Sequence, residues 1–484
     1  MKKLRIFDLL TAIQPIELKR YHRYMKADST FLSRDYIPLV EHLLKFYPDF
    51  KNSALSMESM YNALYPGKKY NSRVIISRLS ELNRMTENFL LSVEMNKDLT
   101  VRNRILTEIL MERKSYESFD LLMEKLLNRE INLNKISERQ LFEVDQLLMI
   151  KGQSMIMREK FAETNSLLQQ NIETFLIYVI TRLLTMYCGI RNIENFQISG
   201  TPIKSLDMYM KSIDVESLVK QLGKNKLSAY MKVMVQIYRL YEKNTNDKLY
   251  FRAKKDFLDN IEVFEQISKF TVFSFLYSYC VLQLNLRRTE FVTEVYDILT
   301  KVISHAAYTK TSNEYMPSML FREYVLTALK LNDIRGAERF ISSYTENLAP
   351  ENRETLRLYS QGKIQMHRKN FPAALQLYKK CPKNIRIITL DMKIERLVCL
   401  YELGETDLFR EELSRNSVMI KGKNNITYFQ RISFAAFNRV MDKLLKLRLK
   451  PDRAAATRLM KSLESIKFLH YKEWIIEKIR HLMK

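Results

Sequence analysis

From residue 72 to about 95, apolar side chains recur three and four apart: Val74, Ile75, Leu79, Leu82, Met85, Phe89 and Val93. That spacing places them on one face of an α-helix. Asn71 or Ser72 is the expected cap, because a short oxygen-bearing side chain accepts from the free N–H groups of a first turn. The preceding segment LYPGKKYNS, Leu64 to Ser72, ends one helix at Pro66–Gly67 and starts the next. The same periodicity predicts helices over roughly 3–13, 16–27, 34–47 and 56–65, and then over 99–128, 135–151 and 154–189. Arg191 to Pro202, with Gly200-Thr-Pro, is the expected linker or long loop.

Beyond residue 203 the pattern becomes repetitive. Gly362, Phe371, Ala374 and Tyr378 have the Gly, aromatic, Ala, aromatic spacing of a tetratricopeptide repeat. Gly and Ala let paired helices approach closely, and the aromatics fill the groove between hairpins. The segment LNDIRGAERFI places Ile334 and Ala337 at the same positions 37 residues earlier, and LGETDLFREEL places Thr406 and Phe409 there 35 residues later. These intervals bracket the 34-residue repeat. RTEFVTEVYDIL, with Phe291 and Glu294, is a further echo. After Ala454 one or two capping helices are expected, with Leu459, Leu463, Ile466 and Leu469 as a stripe and Trp474 as a core anchor.

Composition agrees with helices. The 484 residues hold only 9 Gly and 10 Pro, too few turn residues for an all-β chain. The sequence therefore predicts an all-α protein: an N-terminal helical domain over 1–98 with a helix-turn-helix-like corner, a long-helix region over 99–200, and a TPR-like α-solenoid of hairpins with capping helices over 201–484. The basic N-terminus is interrupted by Asp8 and reads as a first helix, not a signal peptide. The run from Phe270 to Leu286 and the segment 172–190 read as buried helices, so no membrane span is expected.

Charge adds a possible partner. The net charge is +24, of which +16 lies in the last 184 residues. Such a field attracts an acidic protein surface or nucleic acid. In the N-terminal part, Lys68, Lys69 and Arg73 would be the anion contacts of a helix-turn-helix, with Ser77 and Arg84 facing a groove.

Chemical motifs are missing. The four cysteines, Cys188, Cys280, Cys381 and Cys399, are widely spaced among apolar or small residues and read as buried free thiols in a reducing cytoplasm. The six histidines form no metal-ligand pattern, and no phosphate-binding glycine loop or nucleophile elbow occurs. Acidic pairs such as Glu411–Glu412 read as exposed helix faces. Neither a cofactor, a metal nor a catalytic residue is expected.

The segments FYPDF (Phe46–Phe50), LYPGKKYNS and SRLSELNRMTENFL (Ser77–Leu90), with KEWIIEKI (Lys472–Ile479), resemble a family of helical, tetratricopeptide-like proteins from Bacteroidetes-type bacteria whose activity is uncharacterised. The resemblance implies the fold and lends no site residues. The expected function is that of a cytoplasmic, non-catalytic scaffold binding an acidic protein segment through its repeats. The alternative is a nucleic-acid-associated regulator using its basic surface. Convergence of the C-terminal cations beside exposed Tyr378 or Tyr401 would favour that alternative.

Overall fold

The structure is a computed structural model, and it describes residues 4–31, 34–131, 135–195, 204–222, 225–242, 246–309, 314–421, 428–466 and 469–483. Among these residues it is all-α, with 24 α-helices, three short 3-10 turns and no strand. It divides into two compact units. The first holds residues 1–133 and 139–178, the second 134–138 and 179–484.

The first unit contains α1 (Arg5–Ala12), α2 (Leu18–Phe31), α3 (Ile37–Leu44), α4 (Met57–Leu64), α5 (Ser72–Lys97), α6 (Leu99–Glu112), α7 (Tyr116–Ile131), α8 (Glu138–Met157) and the start of α9 (Phe161–Asn195). Helix α5 is the spine of its N-terminal core. Asn71 caps it, accepting from the N–H groups of Arg73 and Val74. Ile75, Leu79, Leu82, Met85, Phe89 and Val93 are buried as the periodicity predicts. They meet Tyr21, Met25, Leu39 and Val40 from α2 and α3. The Tyr21 and Thr86 hydroxyls buried in this core satisfy one another, 2.8 Å apart. A second cluster gathers Phe119, Met123, Leu147 and Leu148 from α7 and α8.

The second unit continues through α10 (Lys204–Ser212), α11 (Val215–Gln221), α12 (Lys226–Glu242), α13 (Asp247–Asp259), α14 (Gln266–Asn285), α15 (Phe291–Ser304), α16 (Ser318–Lys330), α17 (Ile334–Tyr344), α18 (Pro350–His367), α19 (Phe371–Lys380), α20 (Arg386–Leu403), α21 (Thr406–Lys421), α22 (Tyr428–Leu449), α23 (Arg453–Glu464) and α24 (Lys472–Met483). Consecutive helices from α14 to α22 pack on one another, and the alternate helices α16, α18, α20 and α22 also touch in sequence. The aligned sequence positions Phe291, Ile334, Phe371 and Thr406 are the first residues of α15, α17, α19 and α21. The shared Ala or aromatic three residues on is fully buried at Ala337, Ala374 and Phe409.

One turn recurs in both units. Where α16 meets α17, Asn332 takes a left-handed φ of 60°, its N–H bonds Leu329 O at 3.0 Å, and the Asp333 N–H bonds Ala328 O at 2.9 Å. This double bond closes a helix C-terminus by satisfying its last carbonyls. The same pair of bonds forms at Lys369, Gly404 and Arg287 in the second unit and at Lys114 and Glu159 in the first. The turn at Lys114 corrects the expectation of one helix over 99–128: the chain breaks there into α6 and α7. Helix α9 runs on to Asn195, so the expected linker begins later than Arg191, and residues 196–203 lie outside the described part.

Two helices, α9 over Phe161–Glu194 and α14, are long and apolar enough to cross a membrane; about 33% and 50% of their most apolar windows are buried in protein. All four cysteines are buried and unpaired.

Candidate functional site

Helix α20 is apolar almost all round, as expected of a central helix. Leu390, Met392, Ile394, Leu397, Val398 and Leu400 are all buried. Yet Asp391, Glu395 and Glu402 recur on one face, four and seven residues apart. Asp391 and Glu395 are only 7% and 3% exposed. A buried carboxylate survives only with charge and hydrogen-bond partners.

Each of the three has both. Arg322 Nε of α16 lies 2.6 Å from Asp391 Oδ2, and the Tyr359 hydroxyl of α18 donates to the same oxygen at 2.9 Å. Lys363 Nζ of α18 lies 2.7 Å from Glu395 Oε1, and the Tyr471 hydroxyl donates to Oε2. Lys363 also reaches that hydroxyl oxygen at 3.1 Å. Trp474 Nε1 and Lys478 Nζ of α24 meet Glu402 Oε1 at 2.6 and 2.7 Å. Each acid is thus held by one cation and one aromatic donor. Burial opposes charge on Arg322, but Asp391, Tyr359 and Glu323 together outweigh this and raise its pKa. Withdrawal from water, then the neighbouring carboxylates, hold Tyr359 and Tyr471 far above the ordinary phenol value.

Above this floor lies a cavity of about 720 Å³, walled by α16, α18, α20 and the segment His470–Lys478. Its rim carries Lys330 and Lys369 from the ends of α16 and α18, and Glu473 and Glu477 from α24. Among the described residues no ion pair joins these two sets. In total the lining has five Lys or Arg and five carboxylates, so the walls are charge-balanced. Leu326, Leu329, Met366, Phe371, Val398 and Trp474 supply apolar surface. His470 stands in the turn before α24, edge-on to Phe437 at 6.2 Å between rings. Desolvation lowers its pKa, Asp391 and Glu395 oppose that, and Arg322 and Lys363 add to it. The three floor carboxylates, Asp391, Glu395 and Glu402, are bound to cations, and among the described residues no group of three His, Cys, Asp or Glu is placed to hold a metal. The arrangement offers shape, apolar contact and rim charges to a ligand.

The residues expected to pack the hairpins lie beside this site. Gly362 of α18 faces Tyr378 of α19 so closely that a Cβ on it would stand 2.8 Å from the ring Cζ and nearer still to Cε1. Ala374, Tyr378 and Ala337 are buried, and Phe371 is half-buried at the cavity. The other candidates stand apart. Lys68, Lys69 and Arg73 are exposed at the α4–α5 corner of the first unit, and Lys68 Nζ sits 5.6 Å from the Tyr65 ring centre. Ser77 and Arg84 share the exposed face of α5 with Arg73. Tyr378 and Tyr401 are buried, 1% and 5% exposed, and offer no stacking platform.

One reading is corrected. Glu411 is exposed, but Glu412 is buried and bound by Arg396 at 3.0 Å and Lys393 at 3.7 Å. The pair sits astride the boundary between core and solvent. The acid ladder of α20 escaped the sequence reading, although acids recurring on one face of an otherwise apolar helix are a signal of buried charge. Its partners come from helices 69 residues before and 76 after it, which no local pattern can show.

Comparison with family models, with curated proteins and with solved structures finds no match to this chain.

Proposed function

We propose that this chain is a non-catalytic interaction scaffold of the cell interior, whose second unit is a tetratricopeptide-like array that receives a segment of a partner protein in the α20 cavity. The observation that carries the reading is the register of the hairpins. Helices α15, α17, α19 and α21 start at the aligned positions of the sequence echoes, and α16, α18 and α20 stack between them and wall the cavity. Stacked hairpins of this kind present their inner helices to ligands. On this reading α14 is a core helix: Val272, Phe273, Leu276 and Cys280 are buried in protein.

The rim sets the partner's chemistry. An apolar segment flanked by both signs of charge matches Lys330 and Lys369 on one side and Glu473 and Glu477 on the other. The preference for an acidic partner expected from net charge belongs to surfaces outside this balanced cavity.

The test is affinity purification with mass spectrometry from the native cell, comparing the wild-type chain with E473K/E477K. Both glutamates are exposed, so the variant should fold. Loss of a specific partner from the variant supports the reading. Recovery of the same partners in equal amounts by both chains refutes it.

A further inference from the structure

Several C-terminal cations are paired inside the second unit: Arg322, Lys363, Arg396 and Lys478 all bind carboxylates. Helix α22 differs. Arg439, Lys443 and Lys446 on α22, and Lys450 one residue past its end, follow one another by four, three and four residues, and all are exposed. At 100° per residue they fall within an arc of about 60°, spread along some 16 Å of helix. Lys446 is paired with Asp442 at 2.7 Å; no ion pair is formed by the other three among the described residues. The opposite face is locked in the core through Phe437, Met441 and Leu444, all fully buried. The stripe is therefore a rigid, one-sided row of cations.

We infer that this stripe binds the phosphate backbone of duplex nucleic acid. A duplex presents one charge per about 1.7 Å of its axis, so some 16 Å of it offers roughly ten phosphates to four cations. Among the described residues no exposed aromatic lies on α22 beside the stripe for base stacking, so it fits a duplex better than a single strand. A bilayer needs an apolar face to enter it, and the apolar face of α22 is already spent; among the described residues its exposed large apolar side chains are Ile432 and Leu449 alone. A disordered acidic peptide pays an ordering cost that a stiff duplex does not. The contacts reach phosphates alone, so binding is independent of sequence.

The experiment titrates the full chain with a fluorescent mixed-sequence DNA duplex across 50–200 mM salt. Four phosphate contacts give a log–log slope near −3.6, and three give about −2.7, so affinity falls on the order of 100-fold over that range. In R439Q/K443Q/K446Q/K450Q the slope should collapse towards zero. In K68Q/K69Q/R73Q it should not change. Circular dichroism confirms that both variants fold. The inference is overturned if the wild type fails to bind duplex at 50 mM salt. It is equally overturned if the quadruple variant binds as the wild type does. Selective capture of anionic vesicles or an acidic peptide, in place of duplex, would overturn it too. None of these outcomes bears on the α20 cavity, whose partner is tested separately.

Discussion

Gly362→Ala places two known effects in opposition. Alanine favours a helix interior over glycine by about 0.8–1 kcal/mol. Against this, the new Cβ would stand 2.8 Å from Cζ and 2.9 Å from Cδ1 of Tyr378, inside any real carbon contact. These are atoms in the body of the ring, not at a flexible tip, and Tyr378 is 1% exposed. The ring cannot swing into solvent, so α18 and α19 must separate. Overpacking of this kind costs about 1–3 kcal/mol. The net expectation is a loss of about 1 kcal/mol, with a range from near zero to about 2 kcal/mol. The decisive control is Tyr378→Leu, which removes the offending atoms. In that background Gly362→Ala should stabilise by up to about 1 kcal/mol, the helix gain alone. The assay is urea denaturation of the four chains, with unchanged m to show that midpoints report stability. Coupling between the two sites should reach about 1–3 kcal/mol. If Gly362→Ala stabilises the wild type as much as it stabilises Tyr378→Leu, the close helix approach at this glycine is not what holds the hairpin.

The Tyr378 hydroxyl is buried without a partner among the described residues, so Tyr378→Phe should keep or raise the urea midpoint, whereas an ordinary buried tyrosine would lose about 1 kcal/mol. Lys363→Met strips Glu395 of its cation and should cost about 3–5 kcal/mol in unit stability; a change below 1 kcal/mol would mean that water, not Lys363, satisfies the acid. Burial lowers the pKa of His42, His305 and His470 below 6.5, so the unfolded chain takes up protons first as pH falls. Stability should therefore decline from about pH 7 through the lowered folded values and then level off; His470→Gln should show a shallower decline, and an unchanged slope would remove His470 from the account. Arg287 is exposed at φ 66°, so Arg287→Gly should raise the melting temperature slightly by relieving a left-handed backbone, while Arg287→Val should lower it.

The all-α fold was legible because apolar spacing and caps act locally. The stripe of α5 and its Asn71 cap appear in the structure as read from residues 71–93. The break between α6 and α7 was not legible, because Lys114 occupies the left-handed position where a glycine would have marked a helix end. Lys369, Arg287 and Glu159 conceal the same turn, and Gly404 alone displays it. For the site, Phe371 was singled out for packing and proves also to border the cavity. The charged floor was hidden for a different reason. Arg322, Asp391 and Tyr471 acquire their meaning only when α16, α20 and the segment before α24 are brought together.

The acid ladder of α20 limits how modular the second unit can be. In a linear repeat protein each hairpin leans only on its neighbours, so terminal units can be trimmed at a cost that stays local. Here Glu395 and Glu402, in the middle of the array, depend on Tyr471, Trp474 and Lys478 at its far end. A chain emerging from the ribosome therefore carries α20 with its carboxylates incompletely matched until residues 471–478 are made. Truncation at residue 470 would remove α24 and at the same time leave α20 holding charge with too few partners. The second unit is built as a closed circuit, in which the final helix decides whether the middle one can be buried.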